Sequence, residues 1–314
     1  MKAAVIYKYG APDVFRIEEM PIPSIKNNEV LIKVYAASIN PVDWKQRQGW
    51  HRFFLKAHFP SILGYDVSGI IEACGSSAKR FLKGDEVYAR LNRRFGGAYA
   101  EYAATAENTL AIKPAGISWE EAAAVPLAAV TALQGLRDKC HLKAGEDILV
   151  IGAAGGVGHF ALQEAMAMGC RVTAVCSSRH QKMMESIKPF RFIDYTKEDF
   201  KSLNDKYDVI FDAAGVENFR NCFNILKPGG RYLTTLPRPN IIIHKLISLF
   251  GSRKVKTLLM RSRSTDLEQI SKMISDKTIR IYIDSVFPLD KIVEAHKRAE
   301  EYTTEGKIII KVRG

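Results

Sequence analysis

The sequence predicts an α/β protein of two domains, a β-rich one interrupted by a parallel sheet with helices on both faces. Three features predict it. Residues 1–120 carry short strands between frequent glycines, and residues 121–265 alternate continuous apolar strands with helices. A last apolar strand at 307–312 stands apart from that alternation. Such a strand extends the parallel sheet poorly and is expected to return to the first domain. Residues 1–120 and 266–314 then form one domain, and 121–265 an insertion.

In the first stretch Val30-Leu31-Ile32-Lys33-Val34 alternates with the two-residue rhythm of a strand, and Gly64, Gly69, Gly75, Gly84, Gly96 and Gly97 mark turns. In the second, residues 148–151 read as a buried strand and 159–168 as the helix after it. A strand at 171–175, a helix at 179–187 and a strand at 191–195 follow. Two more strands fall at 209–211 and 232–234, the latter announced by a Pro228-Gly229-Gly230 turn. Helices at 266–275 and 289–302 precede the final strand. No internal repeat or low-complexity tract interrupts the pattern.

With 314 residues, 47% apolar and 25% charged, the chain is long enough for two cores, and its balance excludes a disordered or fibrous protein. Cys74, Cys140, Cys170, Cys176 and Cys222 are an odd set without a C-x-x-C pair, which points to reduced thiols rather than a disulfide framework. No basic stretch leading into a long apolar core opens the chain, so a cytoplasmic location is expected. The most apolar window, 241–250, is interrupted by His244 and Lys245 and is about half the length a spanning helix needs, so no membrane span is expected.

The net charge is +12, and the excess is concentrated. Arg238, Lys245, Arg253, Lys254, Lys256, Arg261 and Arg263 fall in one stretch without an acid. Three readings stay open: a solvated basic face, a surface for anionic partners such as lipid headgroups or nucleic acid, and a supporting field for a phosphorylated cofactor. No zinc-finger spacing or aromatic-interleaved RNA motif accompanies the charge, so nucleic-acid binding is not predicted.

The strongest chemical signal is Gly152-Ala153-Ala154-Gly155-Gly156-Val157-Gly158, directly after a buried strand and at the start of a helix. There one glycine permits a tight turn, another lets backbone N–H groups approach a pyrophosphate, and Gly158 lets helix and strand pack closely. The helix N-terminus adds free N–H donors and a positive dipole end. The spacing is G-x-x-G-x-x-G, with Ala153 where the plain dinucleotide fingerprint has its second glycine. About twenty residues on, where NAD-binding chains place an acid for the ribose 2′-hydroxyl, stands Cys176-Ser177-Ser178-Arg179. Two hydroxyls and a guanidinium suit a 2′-phosphate, so NADPH is the expected cofactor. Tyr195 is open between a contact to the adenosine end and a strand-end aromatic filling the domain edge.

Further blocks carry a family resemblance over nearly the whole chain. They are Ala37-Ser38-Ile39-Asn40-Pro41-Val42-Asp43-Trp44-Lys45, Gly64-Tyr65-Asp66-Val67-Ser68-Gly69, Phe81-Leu82-Lys83-Gly84-Asp85-Glu86-Val87-Tyr88, Gly97-Ala98-Tyr99-Ala100-Glu101-Tyr102, the stretch 126–135, the glycine loop, and Ile193-Asp194-Tyr195-Thr196-Lys197-Glu198-Asp199. In these the chain resembles the medium-chain dehydrogenase/reductase superfamily and, within it, the zinc-free quinone oxidoreductases. The resemblance implies a GroES-like catalytic domain, a Rossmann domain for NADP(H), an active site in the cleft between them, and frequent homodimers joined through the Rossmann sheets. It implies that Asn40 sits beside the nicotinamide ribose, Thr131 near the nicotinamide or phosphates, and the backbone around Leu236 near the carboxamide.

Zinc alcohol dehydrogenases of the superfamily carry a Cys in the Ser38-to-Asn40 block and Gly-His-Glu at Gly64-Tyr65-Asp66, and often four close cysteines in the region 88–108, which has none here. Seven histidines scattered along the chain do not restore a zinc site, so no metal is expected. Without a Lewis acid the substrate must carry its own electron sink, which points to a quinone or an α,β-unsaturated carbonyl. Asn40 and Tyr65 are candidates for polarising its oxygen, with Asp43 as an orienting neighbour. The proton comes from one of these groups or from solvent. Tyr65 is also readable as a packed strand aromatic and Asp43 as a cap after Pro41. Trp44, Trp50, His51, Phe53 and Phe54 either wall an apolar pocket or pack locally. Two other functions stay open: an enoyl-thioester reductase, and a non-catalytic NADPH-binding protein whose basic surface meets nucleic acid or membrane.

Overall fold

The computed structural model describes residues 1–50, 52, 58–236 and 239–313. It opens with strands β1 (Lys2–Ile6) and β2 (Phe15–Glu19), then the long strand β3 (Glu29–Ile39). Helix α1 (Pro41–Arg47) follows at once, because Pro41 fits a first helical position and Asn40 precedes it as the N-cap. Strands β4 (Ser61–Ile62), β5 (Asp66–Cys74), β6 (Glu86–Arg90), β7 (Tyr102–Ala106) and β8 (Leu110–Ile112) come next. Helix α2 (Trp119–Ala124) starts with a capping box: Glu121 N–H donates to Ser118 Oγ at 3.1 Å, and Ser118 N–H to Glu121 Oε2 at 2.7 Å. Helix α3 (Pro126–Gln134) continues the chain.

Six strands and four helices follow: β9 (Asp147–Ile151), α4 (Gly158–Ala167), β10 (Arg171–Cys176), α5 (Gln181–Ile187), β11 (Arg191–Asp194), β12 (Tyr207–Asp212), α6 (Phe219–Cys222), β13 (Leu226–Thr234), α7 (Pro239–Ile247) and β14 (Lys254–Thr257). All their strand pairings are parallel, in the order β11-β10-β9-β12-β13-β14. The chain ends with α8 (Ser264–Ser275), β15 (Ile283–Pro288), α9 (Ile292–Glu300) and β16 (Lys307–Lys311). The last strand lies antiparallel to β3, with Ile310 opposite Ala37, in a mixed sheet ordered β15-β16-β3-β5-β6-β8.

The chain divides into two compact units: Met1–Val130 with Arg261–Lys277 and Ile281–Gly314, and Thr131–Met260 with Thr278–Arg280. Each has its own core. In the first, Val30, Ile32 and Val34 of β3 meet Val67 and Ile71 of β5 and Ile308 and Ile310 of β16. In the second, Leu149, Val175, Ile193, Ile210 and Tyr232 of five adjacent strands pack together. Each such side chain, fully buried, contributes on the order of 1.5–3 kcal/mol.

Two details depart from the sequence pattern. Residues 121–130 belong to the first unit, because Ala123 and Ala124 of α2 are small enough to lie against Ala36 of β3 and Ile309 of β16. Pro228-Gly229-Gly230 is not a turn before a strand. It lies inside β13 as an irregularity, where the register to β12 shifts and Gly229 adopts a φ of +80° that glycine tolerates.

Candidate functional site

In the second unit the chemistry gathers at the carboxyl ends of the parallel strands, where the order of connection reverses between β9 and β12 and where ligands bind in open α/β sheets. Gly152 leaves β9 with a φ of +76°, and Gly155 N–H donates to Gly152 O at 3.0 Å, which closes the loop on itself. A Cβ on Gly158 would stand 2.0 Å from Gly152 O, so only glycine lets α4 begin this close to β9. Ala153 and Ala154 are buried, while Gly155, Gly156 and Val157 remain partly open to solvent. The loop thus presents part-exposed backbone at the start of α4, where helix N–H groups would hold a pyrophosphate.

At the end of β10, Ser177 Oγ accepts the Arg179 N–H at 3.3 Å and caps a short 3-10 turn over Ser178–His180. The Arg179 side chain extends into solvent. Sequence reasoning missed Asp194 at the end of β11. It accepts Thr196 N–H at 3.0 Å and Thr196 Oγ at 2.7 Å, and hydrogen bonds from Thr196 and then Ser178 hold its carboxyl down at about 2. Ser178 therefore serves a neighbouring carboxylate, leaving Ser177 and Arg179 as the groups at this strand end without that commitment. Tyr195 is exposed, and its N–H reaches Cys176 O at 3.4 Å. Leu236, just past β13, packs its side chain over Gly215, and its N–H donates to Thr234 Oγ1 at 3.3 Å. Thr131, on α3, is buried.

In the first unit a closed polar cluster surrounds Asn40. Its backbone N–H donates to Asp43 Oδ2 at 2.7 Å, so Asp43 does cap α1. The Asn40 amide Nδ2 donates to Asp66 Oδ2 at 2.9 Å, and its Oδ1 accepts from Lys307 Nζ at 2.5 Å. Lys307, on β16, also donates to Ile39 O at 2.9 Å and lies 3.8 Å from Asp66 Oδ2. Asp66 further accepts Ser38 Oγ at 3.2 Å and Leu127 N–H at 3.0 Å. Two buried carboxyls thus share one buried ammonium. Burial, with Asp66 nearby, pushes Asp43 up to about 7. Burial raises Asp66 as well, with Lys307 and the hydrogen bonds from Asn40 and Ser38 working against it. Burial pulls Lys307 down, against the two carboxylates.

Tyr65 is buried and its phenol is engaged on both sides. It accepts Gln46 Nε2 at 2.7 Å and donates to Arg94 O at 2.8 Å, with the Arg90 guanidinium 4.6 Å above its ring. Burial raises its pKa. Tyr99 OH donates to Asp43 Oδ2 at 3.1 Å, and its ring meets buried His296 edge-on at 5.6 Å. Arg47 of α1, fully buried, pairs with Glu300 of α9 and holds the helix below Asn40 in place. Trp44 packs edge-on against Trp50 and Tyr302, while His51, Phe53 and Phe54 lie outside the described residues. The structure therefore brings Asn40, Asp43 and Asp66 together, adds Lys307, Ser38 and Tyr99, and ties Tyr65 to Gln46. Lys307 was invisible in the sequence because a lysine in a terminal strand reads as solvent-facing.

This donor set does not fit zinc. An amide, a phenol and a carboxylate stand where thiolate and imidazole ligands would be needed, and two of them are already bonded to one another and to an ammonium. Among the described residues no group of three or more His, Cys, Asp or Glu side chains is placed to hold a metal ion, and no helix is long and apolar enough to cross a membrane.

A GroES-like unit with a parallel, glycine-cradled dinucleotide unit defines a reductase or dehydrogenase architecture, and the comparisons agree. Residues 26–115 match the family described as alcohol dehydrogenase GroES-like domain, and residues 191–310 the one described as zinc-binding dehydrogenase. The NADPH-dependent alkenal/one oxidoreductase of Arabidopsis thaliana is 35% identical, over 99% of this chain and 79% of its own length. The chloroplastic quinone-oxidoreductase homolog of Spinacia oleracea is 34% identical, over 96% of this chain and 95% of its own. Among solved structures, the quinone oxidoreductase from Coxiella burnetii superposes with a TM-score of 0.93 at 32% identity, covering 100% of this chain and 99% of that one. The chain belongs to the medium-chain dehydrogenase/reductase superfamily, in its quinone-oxidoreductase-like group.

Proposed function

We propose that this chain is an NADPH-dependent, zinc-independent reductase of small electrophiles, namely quinones and α,β-unsaturated carbonyls. The observation that carries the reading is the closed Asn40–Asp66–Lys307 cluster, which stands in place of metal ligands. The names of the relatives above, quinone and alkenal/one oxidoreductases, support the substrate class. NADPH would supply hydride. The glycine cradle from Gly152 to Gly158, including Ala154, Gly155, Gly156 and Val157, would hold its pyrophosphate, and Ser177 and Arg179 its 2′-phosphate, with Ser178, Tyr195, Thr131 and Leu236 as further contacts.

Asn40 is the group we assign to the substrate oxygen. Lys307 and Asp66 lock its amide with Oδ1 and one Nδ2 proton engaged, so the second Nδ2 proton has a fixed direction. Asp43 holds the backbone of Asn40 and, with a carboxyl near 7, is a proton reservoir beside it. Tyr65 keeps a positioning role, since its proton is given to Arg94 O.

A cytoplasmic location and a homodimer complete the reading. All five cysteines are free, which suits a reducing compartment, although the relatives above are named as chloroplastic. The open edge of β14 offers backbone groups for pairing with a second copy. Turnover tests the function: chelator-treated protein is given NADPH and a panel of quinones, alkenals and plain ketones, and loss of nicotinamide absorbance is followed. Reduction of quinones or alkenals but not ketones is expected. Reduction of ketones that depends on added zinc would refute the proposal.

A further inference from the structure

Helix α7 and the turn after it form an unusual surface. Inward, Ile241 packs into the core of the parallel-sheet unit with Phe219, Tyr232 and Val255, and Val255 N–H donates to Ser248 Oγ at 3.1 Å. The helix is therefore anchored, and its outer side should be polar, as surface helices of globular proteins are. It is not. Ile242, Ile243, Leu246, Ile247 and Leu249 are 53–64% exposed, and Phe250 is 95% exposed. Lys245 is the one charged residue among the exposed positions of 242–250. A contiguous apolar face of this kind marks an interaction site.

Cations surround it. Lys254 Nζ donates to Ser248 O at 3.1 Å and Leu249 O at 3.0 Å, capping the end of the segment. Arg253 donates to Leu226 O at 2.7 Å and lies 4.2 Å over the Phe223 ring, and Lys245 Nζ reaches Thr257 Oγ1 at 3.4 Å. No acid occurs in 239–263. Arg238, read in the same basic stretch, lies outside the described residues. Apolar side chains rimmed by cations, with long aliphatic stems that let ammonium groups reach headgroups, match one occupant: the surface of an anionic lipid bilayer.

We infer that α7 and the turn through Phe250 dock this protein peripherally on anionic membranes, the apolar side chains entering the acyl boundary and the cations meeting lipid phosphates and carboxylates. A second copy is the rival occupant. A two-fold contact sets a patch against itself, so it would press one cationic rim on another. Pairing of sheet edges at β14 uses backbone groups in the plane of the sheet and does not require the outer face of α7.

The test is co-sedimentation of the full chain with vesicles. Binding is expected to one part phosphatidylserine in two parts phosphatidylcholine, with none to phosphatidylcholine alone, and with release at high salt. Leu246→Ser with Phe250→Ser, both exposed and outside the cofactor cradle, should weaken binding by more than about tenfold. Lys245→Ala should weaken it by about fivefold. Circular dichroism and NADPH binding in solution should stay unchanged and report an intact fold. Wild-type protein left in the supernatant overturns the inference. So does conversion of a dimer to a monomer by Leu246→Ser with Phe250→Ser, which assigns the face to a second copy. Binding to vesicles and to RNA alike that survives that double variant also overturns it, since charge alone would then be responsible.

Discussion

Lys307→Met removes the one buried cation of the Asn40 cluster while keeping most of its volume. The wild-type ammonium donates to Asn40 Oδ1 at 2.5 Å and Ile39 O at 2.9 Å, and lies 3.8 Å from Asp66 Oδ2. At an effective dielectric constant of 20 the pair attraction at that distance is about 4 kcal/mol. Breaking a buried pair by removing one partner costs about 3–5 kcal/mol, because the other charge stays buried. We expect a loss in that range at neutral pH, and a smaller one in acid, where Asp66 takes a proton. The sign follows from linkage: without Lys307 the folded-state pKa of Asp66 rises, so the variant's stability is retained at low pH and lost as pH increases. All three tryptophans, Trp44, Trp50 and Trp119, lie in the first unit, so their fluorescence during urea unfolding reports that unit alone. The double variant with Asp66→Asn should recover more than about 1.5 kcal/mol of the loss, as contacting residues do in a thermodynamic cycle. An unchanged midpoint, or strict additivity with Asp66→Asn, would refute the idea that one ammonium neutralises this cluster.

Three more outcomes are expected. Asp43, held near 7 against an ordinary value of 3.8, contributes stability that is present in acid and lost as pH rises through 7; Asp43→Asn should flatten that decline, which amounts to at most about 4 kcal/mol, and an equally steep fall in the variant would show that Asp43 is not the titrating group. Gly158→Ala places a Cβ against Gly152 O, so NADPH affinity measured by titration should fall at least about tenfold while tryptophan-monitored unfolding of the first unit stays put; full affinity would mean the loop is not the phosphate cradle. Arg179→Asp should reduce the ratio of kcat/KM for NADPH over NADH by about 10–100-fold, the worth of one charged hydrogen bond, and an unchanged ratio would remove Arg179 from the cofactor site.

Much of this protein is written locally. Continuous apolar runs such as Ile148-Leu149-Val150-Ile151 became the central strand β9, and the glycines after them became the tight loop, because strand rhythm and φ preferences act over a few residues. The Asn40-Pro41-Val42-Asp43 block likewise contained its own capping geometry. The return of the last strand to the first unit was legible by elimination, since a lone strand after two helices needed a partner.

Other features came only with the tertiary structure. Lys307 lies 267 residues from Asn40, and nothing in Lys307-Ile308-Ile309-Ile310 distinguishes a buried ammonium from a solvated one until β16 is laid beside β3. Asp194 reaches Ser178 only because β10 and β11 are neighbours in the sheet, so the hydroxyls at 177 and 178 looked equivalent in sequence and are not. The allegiance of α2 was decided by the fit of two alanines against Ala36 and Ile309. The window at 241–250 had the composition of a buried segment, yet the sheet takes only the Ile241 and Ser248 side of it and leaves the rest outside. Periodicity specifies which faces a segment has. Which face finds a partner depends on elements that arrive from far along the chain.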